Sequence, residues 1–424
     1  MKSDWIWDVV VIGGGPAGMM AAGRAAELGR SVLLLEKNPA PGKKLLITGG
    51  GRCNVTNNKT DIRSMVAKYK GNDQFLFSAF SQFGVQEALE FFNKRGMNTK
   101  EENEGRIFPV SNKAQSVWDV LTKYMKEGGV EVKTYAPVAS LAISVDKSIV
   151  VHLKDKTDIR AKSCIVATGG TSRPETGSTG EGFIWLRKLG HKVINNEAAL
   201  VPIALKDGWA KKLGGVSLKD IKLTTFSAGG GSSSGGQNRQ QEDSQKGKLL
   251  FTHFGISGPT VLNMSKEIGE LLKYGEVVIE LDLFPTLDAG LVKRKLQELL
   301  VADSNKKLKN VFNKLIPSAL VAAILKLAEV DGETANHSVS HEDRVKLAAL
   351  LKAIPLNVKG LLGADKAVVS SGGVALEEIN FKTMQSRLIP NLYLVGDVLN
   401  VDRPSGGYSL QLCWTTGFVA GSNC

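Results

Sequence analysis

Residues 8–36 read DVVVIGGGPAGMMAAGRAAELGRSVLLLE, and this stretch decides the fold. Val9–Ile12 is an uninterrupted apolar run, as a strand buried on both faces of a parallel sheet requires. Gly13, Gly14, Gly15, Pro16, Ala17 and Gly18 follow at once and fit G-x-G-x-x-G. A helix of small residues is predicted to about Leu28, with Gly29 placed to end it. Ser31–Leu35 reads as a second strand, closed by Glu36. Gly13 makes the tight turn, Gly15 lets the backbone approach a pyrophosphate, and Gly18 lets helix and strand pack closely. The helix start offers free N–H groups and the positive end of its dipole to phosphates. Glu36 can accept hydrogen bonds from a ribose 2′-hydroxyl, which favours FAD or NAD over NADP. The motif does not choose between those two.

Length and composition bound the rest. A chain of 424 residues exceeds one ordinary domain, and two or three are expected. The apolar share of 42% supports sizeable cores, yet no apolar run approaches the ~20 residues that span a bilayer. The chain enters its first strand immediately, which makes a cytoplasmic location the expectation. The formal charge of +12 permits attraction to nucleic acid. The lysines are scattered without a basic cluster interleaved with aromatics, so a small molecule is the favoured partner over RNA. Cys53, Cys164, Cys413 and Cys424 are far apart and form no C-x-x-C. That spacing points to a reducing compartment and away from a disulfide-reductase mechanism. The five histidines form no metal-ligand cluster, and His337 with His341 reads as part of a solvated helix.

After Glu36 a glycine-rich, polar loop runs from Lys37 to Asn58. Thr48, Gly49, Gly50, Gly51, Arg52, Cys53 and Asn54 concentrate flexible backbone, a cation, a thiol and an amide. They read either as a ligand-facing loop beside a flavin edge, with Arg52 orienting substrate, or as a tight turn capped by Asn54. Residues 74–95 read as one helix whose apolar stripe is core. Arg106 is a candidate substrate contact, and Ser111 a candidate N-cap for a helix through Met125. Residues 140–153 read as a hairpin. Cys164–Gly170 is another buried strand, whose Ala167, Thr168 and Gly169 suit a return to the same dinucleotide site. From about Asn195 the character turns β-rich, with 227–247 (SAGGGSSSGGQNRQQEDSQKG) expected as a disordered loop. Ser257 reads as the N-cap of a further helix, and 287–353 as several helices. The end returns to the first style. Asn391–Asp397 is a strand closing on Gly396 and Asp397, and Gly407, Tyr408, Ser409 and Leu410 open a last small-residue helix. An acid at a strand's carboxyl end lies where α/β sheets bind ligands. FAD is a ligand long enough to need both ends of the chain.

The segments GGGPAG, LITGGGRCNVTN, GRIFP, IVATGG, GSTGEG, LLFTHFGISGP and LYLVGD…GGYSLQ occur in an order that resembles the bacterial BaiN-like flavoproteins. Those are NAD(P)/FAD-dependent oxidoreductases, also grouped as an aminoacetone-oxidase family. The resemblance implies an α/β fold, a Rossmann-like FAD-binding domain of the glutathione-reductase type. A β-barrel-like domain and a small helical domain interrupt it. The implied divisions are 1–195, 196–286, 287–353 and 354–424. It puts Glu36, with Lys37 beside it, on the adenosine ribose, and Gly15 with Ala17 on the pyrophosphate. It puts Arg52, Cys53 and Asn54 by the flavin, and Gly396, Asp397 and Gly407–Leu410 along ribityl chain and ring. The chain departs from the family at Asp397, where glutamate is usual, and at Ser409, where asparagine is usual. The implied activity is hydride transfer between a small organic substrate and FAD, with NADH or NADPH as a transient co-substrate. Two alternatives stay open: an oxidase passing electrons from an amine or amino-ketone to O₂, and an RNA-associated or non-catalytic flavoprotein. Oligomeric state is left open.

Overall fold

A computed structural model describes residues 6–69, 72–194, 198–228, 239–363, 369–370 and 372–424. The chain divides into two compact units, Met1–Ala199 with Ala364–Cys424, and Leu200–Gly363. The boundary expected at 195–196 lies outside the described residues.

The first unit is built on a sheet with the quoted stretch at its centre. Strand β1 (Ile6–Ile12) pairs in parallel with β2 (Val32–Leu35) on one side and with Asp158–Val166 on the other. Glu131–Lys133 extends the sheet beyond β2, and Leu392–Leu394 extends it beyond Asp158–Val166. The two ends of the chain thus meet in one sheet. Val9–Val11 and Leu34 are fully buried, as continuous apolar runs with covered faces must be. Helix α1 (Pro16–Glu27) crosses the terminal helix Tyr408–Asn423 at close range. A Cβ on Gly417 would stand 2.4 Å from the Ala17 carbonyl oxygen, and one on Gly421 2.4 Å from that of Ala21. The small residues of both helices are what permit that approach.

Several local expectations are corrected here. Residues 74–95 form two helices, Asp73–Gln82 and Val85–Lys94, because the apolar spacing runs on through a break at Gly84. The Gly84 N–H donates to Glu87 Oε2 at 2.9 Å and starts the second helix afresh. Ser111 is not an N-cap: the helix spans Ala114–Glu127 behind Lys113. Gly258, with Pro259 at the first helical position, precedes the helix Pro259–Leu271, and Ser257 ends the strand before it. His337 lies in a short 3-10 turn and His341 begins a separate helix.

The second unit contains a closed six-stranded barrel among the described residues. Its strands run in the order Ile203–Leu205, Gly255–Ser257, Arg239–Thr252, Ser217–Ala228, Val277–Asp282 and Ile354–Leu361. The expected loop 227–247 is therefore corrected in part. Ser227, Ala228 and 239–247 are paired strand, and 229–238 lie outside the described residues. The ladder with the neighbouring strand satisfies this polar backbone, which composition does not reveal. Helices between Ala289 and Lys352 share the barrel's core: Val292, Leu296, Leu347 and Leu351 are buried in one cluster with Leu281 and Ile354. Among the described residues, no helix is long and apolar enough to cross a membrane.

Candidate functional site

The carboxyl ends of β1, β2, Asp158–Val166 and Leu392–Leu394 gather the glycine-rich segments in one place. Gly13 has φ +103°, and a Cβ there would stand 2.6 Å from the Ala167 carbonyl oxygen. One on Gly18 would stand 2.0 Å from the Gly13 oxygen. Both glycines are demanded by the protein itself. Gly15 is different: nothing lies within 4 Å of its Cβ position. A cradle is open there, at the N-terminus of α1, where first-turn N–H groups lack helical acceptors. Glu36 is buried at the end of β2. Its Oε2 accepts the Gly14 N–H at 2.8 Å and its Oε1 accepts the Asn38 N–H at 2.8 Å, so the acid shapes the turn.

The second loop sits directly on the first. The Gly42 N–H donates to the Gly14 oxygen at 2.7 Å, and Trp118 Nε1 donates to the Pro41 oxygen at 2.8 Å. The short helix α2 (Lys43–Leu46) follows, then Thr48–Gly51, in which Gly49, Gly50 and Gly51 take φ of +56°, +67° and +84°. Gly50 and Gly51 have nothing within 4 Å of a Cβ, whereas one on Gly49 would stand 3.0 Å from the Asn54 nitrogen. Cys53 is fully buried, and burial pushes its thiol up to about 12, so it stays protonated. Arg52 turns toward a neighbouring hairpin. Its Nη2 pairs with Glu102 and donates to Asn112 Oδ1 at 2.6 Å, while the guanidinium lies 4.2 Å from the Phe108 ring centroid. That contact holds the Glu102 carboxyl below its usual range. Arg106 Nε donates to the Asn103 carbonyl at 3.0 Å. Lys37 spends its ammonium on Thr179 Oγ1 at 2.8 Å and Glu181 Oε2 at 2.7 Å.

Thr168 and Gly169 close the third side. Thr168 Oγ1 is buried, has no hydrogen-bond partner among the described residues and faces Gly182, whose Cβ position lies 2.1 Å away. On the fourth side, Asp397 pairs with Arg403, whose Nε donates to Ser409 Oγ at 3.1 Å and Nη1 to the Val401 oxygen at 2.6 Å. Gly396 has φ +66°, and a Cβ on it would stand 3.0 Å from Ala17 Cβ. Gly407 has φ +101°, and a Cβ there would stand 2.3 Å from the Thr56 carbonyl carbon. Tyr408 and Leu410 are buried behind it, and burial pushes the Tyr408 phenol up to about 12. Sequence reasoning passed over Arg403 and Lys44. Their signal was a cation within a motif otherwise read for its glycines, the arginine of NVDRPSGG in one case and the second lysine of PGKKLLITGGG in the other.

An open cradle at Gly15 and an acid at Glu36 fit an anionic, polyhydroxylated dinucleotide. The HI0933-like protein Rossmann domain family matches residues 7–423. A 3-dehydro-bile acid delta(4,6)-reductase of Clostridium scindens is 32% identical over 97% of each chain. A ribosomal RNA dihydrouridine synthase of Escherichia coli is 29% identical over 97% of this chain and 96% of its own. Among solved structures, a 3-ketosteroid-delta4-(5alpha)-dehydrogenase of Rhodococcus jostii RHA1 shares the fold, with a TM-score of 0.54 and 14% identity. That alignment covers 100% of this chain and 97% of the other. The chain belongs to the HI0933-like Rossmann family and is an FAD-dependent oxidoreductase of that family.

Proposed function

We propose that this protein reduces a carbon–carbon double bond conjugated to a carbonyl, taking its electrons from NADH or NADPH. One observation supports this reading above others. Two full-length relatives with unlike substrates are named for the same kind of bond change, a steroid-ring reduction in one and a reduced uracil in the other. Bound FAD would supply the hydride chemistry, and the protein supplies position and electrostatics. In this reading Gly15 and Ala17 hold the pyrophosphate at the start of α1, and Glu36 takes the adenosine ribose. Gly396, Asp397 and Gly407–Leu410 line the ribityl chain and ring, and the Thr48–Asn54 loop flanks the ring. The Cys53 thiol is fully buried, and burial keeps it protonated. The sequence carries one complete G-x-G-x-x-G unit, so the nicotinamide visits the flavin face transiently.

A second reading keeps the bond change and makes the substrate a uridine within RNA. The +12 charge and the relatives named as ribosomal RNA dihydrouridine synthases favour it. Anaerobic rapid mixing with NADH or NADPH, followed through flavin bleaching, tests the donor. Recovery of colour is then followed after adding a 3-keto-4-ene steroid or a uridine-rich RNA fragment. Recovery with the steroid supports the first reading. Recovery with RNA alone, with rates falling steeply as salt rises, supports the second. Bleaching by an amine but by neither nicotinamide would sink the reductase reading in favour of an oxidase.

A further inference from the structure

Three half-buried lysines differ in what meets their charge. Lys352 pairs with Asp282 at 2.6 Å, and Lys37 pairs with Glu181 at 2.7 Å. Lys44 donates to the hydroxyl of buried Ser172 at 3.1 Å and has no ion-pair partner among the described residues. Burial pulls its pKa down, against the attraction of Asp397. Asp397, however, is already committed to Arg403. Glu175, the other carboxylate that acts on the amine, pairs with Arg173 at 3.7 Å, so each acid near Lys44 already has a cation of its own. A cation withdrawn from water at that cost needs an anion to face.

Its position says which anion. Lys44 stands in α2, two residues after Gly42, whose N–H clamps the loop onto Gly14 at 2.7 Å. A Cβ on Gly14 would stand 2.7 Å from Pro41 Cβ, so the two loops are in contact. The amine lies in the field of the Asp397 carboxylate, which follows Gly396. Cys413 Sγ and Ala17 Cβ lie 3.5 Å and 3.0 Å from the Cβ position of Gly396. Lys44 therefore stands on the loop that packs against the Gly13–Gly18 turn, with its amine in the field of Asp397, next to Gly396.

We propose that Lys44 is the cation that pairs with the pyrophosphate of FAD, with Ser172 positioning its amine. The glycine turn supplies neutral N–H donors, and Lys44 supplies the charge that they lack. The proposal concerns binding alone, so a failed substrate test leaves it standing.

Titration of the full-length chain, stripped of flavin, with FAD, ADP and adenosine tests it. Lys44→Met is expected to raise the Kd of FAD and of ADP by similar factors, roughly ten- to a hundredfold. Adenosine, which lacks the pyrophosphate, is expected to bind wild type and variant alike. Lys44→Arg is expected to recover most of the loss. Unchanged FAD and ADP affinities in Lys44→Met would overturn the proposal. So would a loss confined to FAD, since that would place the amine on the flavin half. Should Lys44→Met not fold, the wild-type chain carries the test. ADP binding is expected to weaken with salt more steeply than adenosine binding, and equal slopes overturn the assignment.

Discussion

The two glycine turns of the candidate site, Gly13–Gly18 and Thr48–Gly51, use the same residue for opposite reasons. In the first, Gly13 and Gly18 are glycine because backbone stands 2.6 Å and 2.0 Å from where a Cβ would go. In the second, Gly50 and Gly51 have empty space around them and are glycine for their left-handed φ. The first turn is closed upon itself except at Gly15, and the second is held open. Glycine thus answers a close backbone approach in the first turn and a left-handed φ in the second, while Gly15 needs neither and is left for a ligand. Gly18→Ala should break the first kind. Overpacking against the Gly13 carbonyl is expected to cost about 1–3 kcal/mol, read as a lower urea midpoint. An unchanged midpoint would abolish the distinction. Gly15→Ala should show the ligand's demand instead. With φ of −74°, alanine fits the backbone, and stability is expected to hold within about 0.5 kcal/mol. FAD affinity should instead fall roughly tenfold, about 1.4 kcal/mol, by titration of the stripped chain.

The first turn was legible in the sequence because its parts are contiguous. Strand, turn, helix, strand and acid all fall between Asp8 and Glu36, and the sheet register follows from them. The return of the chain's end was legible for the same reason, as a strand closing on Gly396 and Asp397. What the second turn touches was not. Arg52 finds Glu102 fifty residues on, Asn112 sixty residues on, and the Phe108 ring between them. No local pattern announces such partners. The sequence suggests Arg52 for substrate, while the geometry supports a clasp that fastens the open turn to a hairpin. Arg52→Met is expected to lower the unfolding midpoint less than Gly18→Ala does, and to leave flavin reduction by a nicotinamide unchanged. A large fall in the rate with FAD retained would return Arg52 to the substrate. The polar strand 239–247 escaped for a related reason: its ladder partner, not its own composition, makes it a strand.

A third glycine turn, Gly177–Gly182, sharpens the comparison at its weakest point. It is of the closed kind: a Cβ on Gly177 would stand 2.7 Å from Asn38 Nδ2, and one on Gly182 2.1 Å from Thr168 Oγ1. Unlike the other two turns, it carries an acid, Glu181, which ties it to the loop after β2 through Lys37. Burial pushes the Glu181 carboxyl up, but bonds from Lys37 and Lys154 outweigh this and hold it at about 2, against an ordinary 4.5. In the unfolded chain it regains the ordinary value. Between pH 4.5 and 2 the unfolded state therefore takes up a proton that the folded state refuses. The tie is fully present above that window and is lost as pH falls through it. Because the pair is partly exposed, solvent screening leaves it a few tenths of a kcal/mol. Glu181→Gln is expected to flatten the acid limb of the thermal-unfolding curve by that amount, and added salt to flatten the wild type likewise. Parallel acid limbs in wild type and variant would mean that sterics alone close this turn. Lys37 would then be as uncommitted as Lys44, and the contrast between paired and unpaired lysines would fail with it.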